Sequence, residues 1–111
     1  MDMHLLLTDA LRGVALRRGT RIRVVPHGAA AELACGECLW VCLGSYVGYR
    51  AEVGATWGSL TDADAGSPAD ALRAAIERRL KLGAGVATAL ALKAVLLNLD
   101  AMPAASDDEV T

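Results

Sequence analysis

The stretch Tyr46-Val47-Gly48-Tyr49-Arg50-Ala51-Glu52-Val53-Gly54-Ala55-Thr56-Trp57 decides the fold class. Val47, Tyr49, Ala51, Val53, Ala55 and Trp57 occupy alternate positions, with Tyr46, Gly48, Arg50, Glu52, Gly54 and Thr56 between them. A period of two puts one set on each face of a strand, whereas a helix would scatter the apolar set around its axis. This stretch is therefore a strand with one face toward a core.

Working upstream, Gly44-Ser45 has the chemistry of a tight hairpin turn. The turn joins this strand to a second one over residues 32–43, which from Cys38 onward is apolar on both sides and so central or covered. Residues 20–25 alternate Arg21 and Arg23 against Ile22 and Val24, the pattern of an edge strand with one wet face, and Pro26-His27-Gly28 ends it. Residues 3–18 read as a first helix, with Leu7, Leu11 and Val14 at helical spacing and Gly19 as its stop; Asp2 caps it, or residues 3–7 form a short strand and Thr8 is the cap.

Working downstream, residues 58–66 read as a polar loop that leads into Ser67-Pro68-Ala69-Asp70. A serine N-cap, a proline at the first helical position and an acid in the first turn start a helix, which buries Leu72, Ala75, Ile76 and Leu80 and stops at Gly83. Gly85 separates it from a last helix over residues 86–101. That helix is apolar nearly all round: Val86, Leu90, Leu92, Val95, Leu96, Leu97 and Leu99 exceed a single stripe. Residues 103–111, with Asp107-Asp108-Glu109, read as a disordered acidic tail.

The expected architecture is thus α+β: one domain over residues 1–102, in the order α-β-β-β-α-α, with a three-stranded antiparallel sheet and all helices on one face. The helix–three strands–helix order resembles the layout of the double-stranded-RNA-binding fold. That family starts its second helix with lysines, and Ser67-Pro68-Ala69-Asp70 has none, so the resemblance supports the layout and argues against the function.

Composition narrows the function class. With 54% hydrophobic residues the 111-residue chain has material for a core, and with no Phe that core must be built from Leu, Val and many Ala. The net charge of -2 favours neither a strong DNA binder nor an acidic mimic of nucleic acid. Charge is nevertheless segregated: residues 1–30 carry five Arg and two Asp, and residues 31–72 carry six acids against Arg50 alone. No secretory signal is evident in the first residues. The most membrane-like stretch, residues 83–99, is broken by Lys93 and shorter than the ~20 residues a span needs. A cytoplasmic protein with no membrane segment is expected.

Several constellations carry residue types suited to chemistry. Cys35, Cys38 and Cys42, with His27, have the donor types of a Cys₃His zinc site. On a strand, however, Cys35 points away from the other two, and the plainer account is three small core hydrophobes. Asp62-x-Asp64-x-Gly66 has half the ligands of a calcium loop and lacks the terminal Glu. Arg17, Arg18, Arg21 and Arg23 form a basic cluster suited to phosphate or carboxylate, or simply a solvated helix end and edge strand.

No acid–base, metal or phosphate-cradling set stands out, and no cofactor is implied. The expected function is a non-enzymatic protein–protein interaction module. Such an adaptor or inhibitor would cover a surface on a larger partner, as a phage- or mobile-element-encoded blocker of a host machine would. Its contact residues are expected to be Arg17, Arg18, Arg21 and Arg23 together with Leu92, Leu96 and Leu99 of the last helix, through which the chain could also self-associate. The alternatives are a nucleic-acid-binding module using the Arg cluster and a zinc-stabilised domain using the cysteines.

Overall fold

The computed structural model describes residues 2–44, 48–55 and 60–102. The expected turn at Ser45, the strand positions Tyr46, Val47, Thr56 and Trp57, and the acidic tail lie outside the described residues. The element order is α1 (Met3–Ala10), β1 (Arg23–Val25), β2 (Gly28–Glu32), β3 (Glu37–Leu43), β4 (Tyr49–Ala55), β5 (Thr61–Ala65), α2 (Pro68–Lys81) and α3 (Val86–Ala101). The five strands form one antiparallel meander in chain order, β1-β2-β3-β4-β5. The class is α+β with three helices, as expected, but the sheet has five strands instead of three, and the likeness to the RNA-binding layout ends there. Among the described residues no helix is long and apolar enough to cross a membrane.

Two of the five strands escaped the sequence reading, for different reasons. The expected second strand over residues 32–43 is shorter, β3 from Glu37, and a separate strand, β2, precedes it, ending at Glu32 before the chain turns through residues 33–36. Leu33 accepts from the Gly36 amide at 2.9 Å and donates to the Glu37 carbonyl at 2.7 Å, with Gly36 at φ 95°, where a side chain would be strained. The preceding Ala29-Ala30-Ala31 has low strand propensity and pairs only because β1 and β3 flank it. The expected loop over residues 58–66 contains β5, an edge strand in which Thr61 and Ala63 face inward and Asp62 and Asp64 outward.

The first helix is half its expected length. It starts at Asp2, whose carboxylate accepts from the Leu5 amide at 3.1 Å, and ends at Ala10. Gly13 at φ 75° turns the chain away, so Leu16 bridges Leu33 and extends the sheet edge beside β2. The Asn98 side-chain amide of α3 donates to the carbonyls of Ala10 and Arg12, both at 2.8 Å, and so satisfies the orphan end of α1 from across the fold. In α2 the predicted signals hold: Ser67 accepts from the Asp70 amide at 3.2 Å, Pro68 opens the helix, and Gly83 at φ 96° follows its end.

Pairing register sorts the sheet into two faces. Leu39 and Val41 of β3 stand beside Ala51 and Val53 of β4, Ala29 and Ala31 of β2, and Thr61 and Ala63 of β5, all buried. Helices α1 and α2 pack on this inner face, and α3 packs on both of them rather than on the sheet. The many alanines let α2 lie close to β4 and β5. Leu92, Val95 and Leu99 of α3 close the helical layer.

One charged pair sits inside this layer. Glu37, at the start of β3 and on its inner face, is 2% exposed. Arg79 of α2 donates to its carboxylate at 2.7 and 3.4 Å and also to the Gly83 carbonyl. Removing one member strands the other in a dry site. Arg79→Ala is therefore expected to lower stability by about 3 kcal/mol, and Glu37→Leu/Arg79→Met by clearly less. Urea denaturation of the two variants tests this, and equal losses would contradict it.

Candidate functional site

Among the described residues no helix packs on the outer face of the sheet, and its side chains lie in rows. Register places Arg23, Ala30, Trp40, Glu52 and Asp62 in one row from β1 to β5. The next row runs Val25, Gly28, Cys42, Arg50 and Asp64. Trp40 stands at the centre, 37% exposed, with Arg23 over its ring at 6.0 Å from the centroid. Beneath it the floor is small: Ala30 on one side, and Gly28, where an added Cβ would collide with the Val41 carbonyl.

Charge on this face runs from one edge to the other. Arg23 lies on β1, while the β5 edge holds Asp62 and Asp64, with Glu52 next to them on β4. Arg50 donates to both oxygens of Asp64, at 3.0 and 3.4 Å. That hydrogen bond, reinforced by the guanidinium charge and opposed by slight desolvation, holds the Asp64 carboxyl below its usual value. The lowered value means the pairing stabilises the fold above the ordinary aspartate range and is lost only as pH falls through it. Asp64 is thus charged at neutral pH.

Of the expected arginine cluster, Arg21 and Arg23 line one depression with Glu32, to which Arg17 is tied at 2.9 Å; Arg18 is exposed in the excursion before β1, and Arg23 also lies over Trp40. The expected contact residues of the last helix are corrected by their placement. Leu92 and Leu99 are buried in the core and offer no surface, while Leu96 is half-buried and keeps part of its side chain exposed. The exposed apolar residues of α3 are Val86, Leu90 and Leu97, and the exposed Lys93 interrupts them.

The geometry separates the expected zinc ligands. Cys35 lies in the turn before β3, and Cys38 and Cys42 share the outer face four positions apart, about 13 Å along an extended strand. Zinc–sulfur bonds of ~2.3 Å require thiols within roughly 4 Å of one another. His27, at φ 63° in the turn between β1 and β2, lies at the far end of β3 from Cys35. Among the described residues no three metal-ligating side chains converge. The half calcium loop is the β5 edge, where Arg50 and Arg78 neutralise the two aspartates.

The sequence reading missed the outer face because it took β5 for a loop. The signal was present in Thr61-Asp62-Ala63-Asp64-Ala65, which alternates as strictly as β4 does. Near β5 a depression of about 470 Å³ is lined by Leu60, Thr61, Asp62, Arg78 and Leu82 among others. Its charged groups are already engaged: Arg78 donates to the Asp62 carbonyl at 2.7 Å.

Cys42 lies in the same row as Arg50 and Asp64. Burial, and then the charge of Glu52, push its thiol up, which leaves less thiolate at neutral pH. At pH 7 Cys42 is expected to react with iodoacetamide several-fold more slowly than glutathione. Peptide mass spectrometry after timed alkylation measures this, and a rate at or above that of glutathione would refute it.

No family model, no curated protein and no solved structure matches the chain.

Proposed function

We propose that the chain is a non-enzymatic protein–protein interaction module whose working surface is the outer face of the sheet. The observation that carries this reading is Trp40, an indole held 37% exposed at the centre of that face and ringed by charges of both signs. A large aromatic in the middle of a patch with a polar rim is the composition of a binding hot spot. Small neighbours leave the ring raised above the sheet.

The arginine reading as a nucleic-acid platform is less well supported. Aromatic stacking with an adjacent Arg suits single strands. Yet Glu52, Asp62 and Asp64 share the face with Trp40, and a phosphate backbone crossing it would meet Glu52 and have to compete with Asp62 and Asp64 for Arg50. A protein surface, which carries both signs, has no such conflict.

Affinity capture with the tagged chain, from nuclease-treated bacterial lysate and from cells co-expressing an untagged copy, tests the proposal. Protein retained by the wild type and lost with Trp40→Ser, whose fold is checked by circular dichroism, is the expected result. Retention that nuclease abolishes, or that Trp40→Ser leaves unchanged, would overturn it.

A further inference from the structure

The charge order across the outer face points to what covers it. Along the row through Trp40 the basic residue is on the first strand, the acidic ones are on the last two, and Trp40 is on the strand midway between; the row beside it adds Arg50 on β4, bound to Asp64 and 3.9 Å from Asp62. Consider a copy laid face to face, related by a two-fold axis parallel to the strands and running along β3. That operation exchanges the two edges and keeps every residue at its own level along the strand. Arg23 then faces Asp62 of the other copy, and Asp62 faces its Arg23; Ala30 faces Glu52, and Trp40 meets Trp40. A two-fold axis across the strands would instead set Arg23 against Arg23 and Asp62 against Asp62.

We propose that a second copy of this chain docks on the outer face of the sheet about a two-fold axis along β3. The inference rests on the reading of this face as a docking surface and names the occupant. Aligned sheets pack about 10 Å apart with strand directions within about 30°. An arginine and an aspartate reach across that gap together, and two indoles fill it. Symmetric homodimers are also the commonest closed assembly, and an isologous contact needs a self-complementary patch. The row through Trp40 is self-complementary in charge at its two ends, where Arg23 and Asp62 exchange places, while in the next row Arg50 and Asp64 stay paired within each copy.

Size sets the strength. Five strands at ~4.8 Å spacing, three to seven residues long, cover at most roughly 20 by 20 Å. That is about half of the ~800 Å² per partner in a standard interface. A transient dimer with a dissociation constant of tens to hundreds of micromolar is therefore expected, weakened several-fold by about 0.5 M salt because its edge contacts are ionic.

Sedimentation equilibrium over a concentration series, on the wild type, Arg23→Glu, Asp62→Arg, the double variant and an equimolar mixture of the singles, tests the geometry. Each single reversal makes both symmetric contacts repulsive and should weaken self-association at least about tenfold. The double variant should recover it. The mixture should form heterodimers. In them the carboxylate introduced on β1 of one copy meets the guanidinium introduced on β5 of the other, and the unaltered Arg23 and Asp62 form the second contact. Circular dichroism checks that each variant folds, and Arg23→Gln and Asp62→Asn, expected to weaken the dimer a few-fold, replace any that do not. A wild type that is monomeric at millimolar concentration overturns the inference. So does a dimer indifferent to the reversals, or to which singles are mixed, and so does a monomer whose Trp fluorescence is quenched by a single-stranded oligonucleotide. If the chain is monomeric yet Trp40-dependent capture of another protein persists, this inference fails while the docking reading stands.

Discussion

The buried pair of Glu37 and Arg79 adds a directional tie among three parts of the fold that the apolar core already brings together. Glu37 begins the central strand, Arg79 lies in the last turn of α2, and the same guanidinium reaches the Gly83 carbonyl at the corner leading to α3. A carboxylate 2% exposed is tolerable only when its charge is answered at close range, and here the answer comes from a residue that is itself only 18% exposed. A pair of this kind contributes little net stability compared with well-packed hydrocarbon. Its value lies in register. A slip of β3 by one residue would send Glu37 to the outer face and turn Trp40 inward against α2, leaving Arg79 unanswered. The pair therefore fixes which face of β3 carries the indole.

The elements whose signals are local were legible in the sequence. The ends of α2 follow from Ser67, Pro68 and Gly83, and the bounds of α3 from Gly85 and its unbroken helical run. The alternation of β4 also stands over its described residues. What failed depended on distant partners. Leu11 and Val14 are at helical spacing, yet α1 stops at Ala10 because Gly13 turns and because Asn98, 88 residues away from Ala10, is there to take up its carbonyls. Ala29-Ala30-Ala31 becomes a strand only between β1 and β3. The aspartates of β5 looked like loop residues because the reading weighed composition over period, although their alternation with Thr61, Ala63 and Ala65 was the better guide.

The candidate surface was half legible for a related reason. Basic and acidic residues are visibly segregated along the chain, but segregation in sequence has no direction in space until the topology is known. In a meander each strand lies beside its predecessor, so order along the chain becomes order across the sheet. A basic early segment and an acidic later one are thereby converted into a gradient from the β1 edge to the β5 edge. Had the strands been connected by crossovers, the same residues would have been interleaved and the face would carry no gradient.

The placement of the aromatics gives the last step. A core without Phe is filled by Leu, Val and Ala, and the inner face of β3 and β4 accordingly shows Leu39, Val41, Ala51 and Val53. Trp40 is the largest side chain on β3, and an apolar core would gain most from it, since a buried aromatic removes ~150–250 Å² from water. The chain instead puts alanines and valines inside and the indole outside, over glycine and alanine neighbours that do nothing to shelter it. Folding alone does not reward that arrangement, because the exposed part of the ring recovers its hydrophobic free energy only when something is laid over it. Arg23 lies over the ring at 6.0 Å from its centroid, and 37% of the residue stays exposed. An indole held in place by the register of a central strand, with opposite charges at the two ends of its row, is lost to the core, and that loss is what the proposed docking role accounts for.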